Sequence, residues 1–155
     1  MKIFVFRHGQ TTSDVEDRYG GDYDDHLTKK GEEQAEDLAR EMKDFGIEVL
    51  FVSSRIRAQE TARILQEKLG VEMKTVKDLR ERNLYGILTG MKKSEAREKY
   101  PDLVGRLKNT QDTIDKAEPW KDFVDRIVKS FRKIAKSEYK IVGIVTHGGP
   151  IRRIL

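Results

Sequence analysis

Two short β-rich runs, one near each end of the chain, terminate in histidine. Lys2-Ile3-Phe4-Val5-Phe6 runs into Arg7-His8-Gly9, and Ile141-Val142-Gly143-Ile144-Val145-Thr146 runs into His147-Gly148-Gly149. The second run is apolar on both faces, as a strand buried between two layers must be. Between the runs, strand-like and helix-like segments alternate, which calls for crossovers and a parallel sheet covered on both faces. Ligands of such open sheets sit at the carboxyl ends of the strands. Both histidines are therefore expected at one edge. The sequence predicts an α/β fold, a three-layer α/β/α sandwich with a mainly parallel sheet, as a single domain over residues 1–155.

The alternation is regular in its first half. Residues 9–27 read as a long polar loop containing Tyr19-Gly20-Gly21-Asp22. Thr28 suits an N-cap, followed at helical spacing by Ala35, Leu38, Ala39 and Met42, with Gly46 just past the end. Glu48–Val52 reads as a strand leading into Ser53-Ser54 and a helix carrying Ala58, Thr61, Ala62, Leu65 and Leu69 up to Gly70. Val71–Val76 reads as a third strand. From Lys77 to about Pro119 the pattern is looser, with helical stretches over Ser94–Tyr100 and Asp102–Lys108. Trp120–Lys136 reads as a helix with Phe123, Val124, Ile127, Phe131 and Ile134 inward. Pro150 suits the first position of a last helix. The apolar Ile151, Ile154 and Leu155 pack on the sheet, or on a partner such as a second copy in a homodimer, or else the chain is shortened at its C-terminus.

Charge narrows the partners. The 31 Lys and Arg against 27 Asp and Glu leave a net +4 of mixed sign along the sequence, which does not mark a nucleic-acid binder. The absence of cysteine excludes disulfides, thiolate zinc sites and cysteine nucleophiles. No apolar run approaches the roughly 18 residues of a membrane span, and the first strand carries no signal-peptide core. A cytoplasmic protein without a membrane partner is the expectation.

A phosphoryl-transfer site needs a nucleophile, cations for the phosphate oxygens and an acid for the leaving oxygen. His8 suits the nucleophile, because neutral imidazole is available near neutral pH. Arg7 beside it offers a planar fork of donors, and Gly9 leaves room for oxygens to approach the backbone. Alone, Arg7-His8-Gly9 is equally compatible with a polar turn after a strand. His147, at the end of a buried strand, shifts the balance toward chemistry, with a partly cationic ring as a phosphate donor. A further cation comes from the helix start at Ser53-Ser54-Arg55-Ile56-Arg57, where backbone N–H groups attract anions. Spacing alone does not choose between Arg55 and Arg57.

These residues resemble the histidine phosphatase superfamily, on its phosphoglycerate mutase-like branch. The family's Arg-His-Gly stands at Arg7-His8-Gly9, and its strand-terminal His-Gly at His147-Gly148. Its serine-rich strand end with Arg-Ala and Thr-Ala stands at Ser53, Ser54, Arg57, Ala58, Thr61 and Ala62. Leu27-Thr28-Lys29-Lys30-Gly31 with Gln34-Ala35 also fits the pattern. Leu79–Gly86 is similar to the segment that carries the family's acidic proton donor, which places that role on Glu81.

The resemblance implies that His8 becomes a phosphohistidine, with Arg7, Arg57 and His147 binding the transferred group and Gly148 beside it. Glu81 is then expected to protonate the leaving alkoxide and afterwards to assist water. No metal or organic cofactor is implied. Arg82, Tyr85 and Lys93 correspond to positions that hold a remote anionic group of the substrate. Asp14 departs from the family, which often places an asparagine there as a phosphate donor. A carboxylate beside phosphate is unfavourable, so Asp14 must turn away or its loop must shift. Relatives also continue past the second His-Gly with more helix. The implied activity is a phosphomonoester phosphatase acting on a small phosphorylated metabolite. The alternatives are a phosphoglycerate mutase, whose relatives are longer and build lids from the extra chain, and a non-catalytic phosphate-binding regulatory domain.

Overall fold

Each β-run named above forms a strand in the computed structural model, which describes residues 1–155. The strands are β1 (Lys2–Arg7), β2 (Val49–Val52), β3 (Glu72–Thr75) and β4 (Ile141–Thr146). They form one sheet in the order β1-β4-β2-β3, and every pairing is parallel. The strand latest in the chain thus lies between the first two. Its register sets Arg7 opposite Thr146 and Val52 opposite Val145. The next residues along, His8, Ser53 and His147, consequently leave the sheet side by side.

Alternation along the strands assigns the two faces. Leu50, Val52, Phe6 and Val145 face one side, where they meet Ala35 and Ala39 of helix α2 (Lys29–Met42) and Ala58, Ala62 and Leu65 of α3 (Ile56–Leu69). Val49, Phe51, Val142 and Ile144 face the other, packed with Leu79, with Ile134 of α6 (Trp120–Ala135), and with Phe131. Small alanines at the helix contacts bring α2 and α3 close to the sheet. Full burial of Leu50 or Leu65 stabilises by about 2–3 kcal/mol each, which makes these faces the main source of stability. A third, smaller cluster of Tyr19, Leu88, Ala96 and Ile114 holds the 77–119 region, which contains α4 (Lys93–Lys99) and α5 (Pro101–Arg106). Thr28 caps α2 by accepting the Gly31 N–H at 3.1 Å, and Gly70 ends α3 in the left-handed conformation.

Several local expectations change. The loop after β1 contains a short helix, α1 (Thr12–Val15), nucleated by a capping box. Thr11 accepts the Asp14 N–H, while the Asp14 carboxylate accepts the Thr11 N–H. The last helix, α7 (Gly148–Ile154), starts directly after His147, so Pro150 occupies its third position and not its first. An N–H is not needed there, because the first turn makes no intrahelical bonds through its N–H groups. Strand β3 is a residue shorter at each end than the expected Val71–Val76. Ile151 and Ile154 are partly buried as α7 packs on α6 and β1, whereas Leu155 is exposed. No helix is long and apolar enough to cross a membrane.

Gly9 also has a packing role. A Cβ there would lie 2.3 Å from the Gly31 carbonyl oxygen, and a Cβ on Gly31 would lie 2.2 Å from that of Gln10. The two glycines let the loop after β1 touch the first turn of α2. Gly31→Ala should therefore destabilise the protein by about 2 kcal/mol through overpacking. Urea unfolding measures this, and wild-type stability in that variant would mean that the contact relaxes freely.

Candidate active site

The parallel edge gathers the first three groups. The His8 N–H donates to the Thr146 carbonyl at 3.1 Å, and the His8 and His147 rings lie 5.1 Å apart between centroids. His8 Nδ1 lies 2.8 Å from its neighbour's Gly9 carbonyl. A carbonyl only accepts, so Nδ1 carries the proton and Nε2 presents the lone pair. Arg57 Nε donates to that Nε2 at 3.2 Å. Burial first, and then the Arg57 charge, push the His8 pKa from 6.5 down to about 4. At neutral pH the ring is uncharged, with a lone pair at Nε2.

Helix α3 settles the arginine question left open by spacing. Arg55 turns outward to Asp22 and Asp24. Arg57 turns inward and is almost wholly buried. Thr61 one turn later accepts the Gly9 N–H at 3.2 Å and donates to the Arg57 carbonyl at 2.8 Å, which ties the His8 loop to the helix. Arg7 is exposed at the mouth, where its guanidinium lies alongside Gly148.

His147 is completely buried. Its Nε2 lies 2.7 Å from the Ser53 hydroxyl, which itself accepts the Arg55 N–H at 3.3 Å. With the Ser53 hydroxyl donating to Nε2, the ring proton sits on Nδ1. That Nδ1 has no protein partner. Burial, with Arg57 and His8 adding to it, holds the His147 pKa well below the usual histidine value, so the ring is neutral and not partly cationic as expected. For both rings the unfolded form takes up protons near 6.5 while the folded form resists. The stability tied to them is complete above that pH and is lost as pH falls below it, down to about 4 for His8.

Glu81 reaches the same hollow from the segment after β3. Its carboxylate accepts the Arg82 N–H at 2.9 Å and the Gly149 N–H at 3.0 Å. A Cβ at Gly149 would lie 2.1 Å from Glu81 Oε1, so only glycine admits this contact. The backbone under Glu81 is held by residues that the sequence did not single out. Arg126 of α6 donates to the carbonyls of Asp78, Arg80 and Glu81 at 2.7, 2.8 and 3.1 Å, and pairs with Glu118 at 2.6 Å. Thr146 Oγ1 adds a bond to the Leu79 carbonyl at 2.6 Å.

Arg7, His8, Arg57, Glu81 and Gly148 line a hollow of about 560 Å³, with Leu84, Tyr85, Trp120 and Phe123 as its apolar wall, while His147 lies buried behind the His8 ring and does not line it. The residues expected to hold a remote anion diverge. Arg82 lines the hollow but is buried, donating to the carbonyls of Glu118, Thr110 and Asp112 as a bolt for the 110–118 loop. Tyr85 packs on Tyr19 with its hydroxyl pKa raised by burial, and Lys93 pairs with Asp17 at 3.0 Å. Asp14 also lines the hollow, with its carboxylate engaged by Thr11 in the capping box. No group of three or more His, Asp or Glu side chains is gathered where a metal ion could be held.

A four-stranded parallel sheet with this edge defines a phosphoglycerate mutase-like fold. The solved structure of Bacillus stearothermophilus YhfR shares it, with a TM-score of 0.87 and 27% identity over 98% of this chain and 76% of that one. The chain itself belongs to the histidine phosphatase superfamily (branch 1), whose sequence profile it matches over residues 3–155. It is 32% identical to the broad-specificity phosphatase YOR283W of Saccharomyces cerevisiae, covering 100% of this chain and 69% of that protein. It is also 29% identical to a 2,3-bisphosphoglycerate-dependent phosphoglycerate mutase of Nitrobacter winogradskyi, covering 99% of this chain and 78% of that one.

The electrostatics around His8 generate a direct prediction. In the free protein its ring protons, followed by NMR, should titrate near pH 4. Inorganic phosphate should raise that midpoint, because a bound anion favours the imidazolium. A midpoint near 6.5 that phosphate leaves unmoved would contradict the geometry.

Proposed function

We propose that the protein is a phosphomonoester hydrolase working through a phosphohistidine at His8. The observation that carries this reading is a neutral imidazole whose unprotonated Nε2 faces an arginine N–H at the floor of an open hollow. In the first step Nε2 attacks phosphorus and the P–O bond to the alcohol breaks. Protonated Glu81 delivers its proton to the leaving oxygen. In the second step water attacks the phosphoenzyme, the N–P bond breaks, and the Glu81 carboxylate takes the water's proton. Phosphate leaves, and both residues return to their starting states.

The remaining groups hold the transferred phosphoryl. Arg57 Nε–H exchanges its lone-pair contact with His8 for a phosphoryl oxygen. His147, whose ring lies 5.1 Å from that of His8, supplies a second donor through its unpartnered Nδ1 in the tautomer that carries the proton there. Arg7 and Gly148 complete the rim. Such fixed donors aimed at developing charge are the strongest catalytic contribution a site of this kind makes. The substrate on this reading is a small phosphorylated metabolite whose remaining part lies against Tyr85 and Trp120.

Transfer to water is favoured over transfer to a second hydroxyl because the mouth is open: Arg7 is solvent-exposed and His8 only partly buried. The likeness to a mutase makes isomerisation the second reading. A panel of phosphorylated metabolites separates the two. Free phosphate without isomer supports hydrolysis, and isomer formed only with a bisphosphate primer supports mutation. His8→Ala should abolish both turnover and acid-labile phosphoenzyme, and full activity in that variant would remove His8 from the mechanism. Glu81→Gln should slow alkyl phosphates far more than aryl phosphates, because a good leaving group needs less protonation. Equal losses on both would count against Glu81 as the acid.

A further inference from the structure

Loop residues 19–25, with their paired glycines and three aspartates, are drawn onto the first turn of α3 by its arginines. Asp22 and Asp24 meet Arg55 near the surface. Asp25 goes inside. It is 3% exposed and lies 2.9 Å from Arg57 Nη1, itself on a residue 3% exposed. The same Nη1 donates to the Tyr23 carbonyl at 2.5 Å, and Nη2 donates to the Gly21 carbonyl at 2.6 Å. Gly21 has φ +56°, and a Cβ there would lie 2.9 Å from the Tyr85 ring, so glycine is what allows its carbonyl to turn toward the guanidinium.

We propose that Asp25 is a positioning residue that fixes the Arg57 guanidinium with its Nε–H aimed at His8 Nε2, where phosphoryl oxygens gather. This rests on the reading of His8 as nucleophile. A guanidinium has five N–H donors. Three are held by Asp25, Tyr23 and Gly21, so its plane cannot rotate. The Nε hydrogen and one Nη2 hydrogen remain for the phosphoryl group. The backbone carbonyls supply direction but no charge, and a buried guanidinium without a counter-ion is strongly disfavoured. Asp25 provides that counter-charge from the side away from His8. It also tempers the field at the nucleophile, since its charge opposes the lowering of the His8 pKa by Arg57. The order Asp25, Arg57, His8 is thus a chain of contacts in which the carboxylate orients and balances the group that touches the phosphoryl.

Two substitutions separate orientation from charge. Asp25→Asn retains an acceptor oxygen but not the charge. It should lower kcat about tenfold, with KM unchanged or reduced, and should tighten inorganic phosphate binding, since one negative charge near the anion is gone. Asp25→Ala loses both functions and should lower kcat about a hundredfold. In Asp25→Asn the His8 titration should also move further down. Thermal destabilisation with kcat, phosphate affinity and His8 titration all within twofold of wild type would overturn the proposal and leave Asp25 a purely structural residue. Should the variants fail to fold, the wild-type protein still decides. Separately resolved Arg57 Nη resonances in nitrogen-15 NMR at 25 °C support a locked guanidinium, and a single averaged signal overturns it. Phosphate titration and these spectra do not depend on turnover. They therefore stand apart from the His8→Ala experiment, whose failure would overturn the hydrolase reading while leaving the locking of Arg57 by Asp25 to be decided by the spectra.

Discussion

Hydrogen bonding of β4 on both of its edges is the constraint from which the site follows. A strand joined in parallel to β1 on one side and to β2 on the other must end level with both. The ladder continues past the strands proper, with the Ser53 N–H bonding the Val145 carbonyl at 3.0 Å as His8 bonds Thr146. Residues more than 130 positions apart thereby become neighbours with no side chain recruited for the purpose. Gly143 shows how tightly this central strand is gripped, since a Cβ there would lie 2.6 Å from the Leu50 side chain.

On that frame the electrostatics set the protonation pattern. Two imidazoles beside an arginine in a poorly solvated corner remain neutral, and each has one nitrogen committed to a neighbour: His8 through Gly9, and His147 through Ser53. The commitments differ in sense. The carbonyl partner leaves His8 a lone pair at Nε2, and the hydroxyl partner leaves His147 an unpartnered Nδ1. Identical side chains thus present different atoms through the partner each was given.

The legible parts of the sequence were those governed by local periodicity. Strand ends carrying His8 and His147, the Thr28 cap and the Gly70 stop all follow from short-range rules, and the layer order follows from the alternation of strand and helix. Side-chain direction was not legible. Arg55 and Arg57 sit two residues apart on one helix start, and only the fold decides which turns inward. Asp25 and Arg126 act through partners more than 30 residues away, with no periodic mark to reveal them. Arg82 resembled a substrate ligand because its neighbours fit the family, yet the 110–118 loop claims its donors. Asp14 carried a readable signal in Thr11-x-x-Asp14, a capping box at the start of a helix too short to show periodicity.

The grip of Gly149 and Thr146 on the Glu81 segment has a consequence for biosynthesis. A nascent chain that has emerged only as far as Lys140 already contains Arg7, His8, Arg57 and Glu81. Without β4 its sheet has a missing centre, and the carboxylate has lost the Gly149 amide that steadies it. Strand β4 is therefore the piece that draws the earlier parts into one hollow, and the fold reaches that arrangement only when its centre is filled.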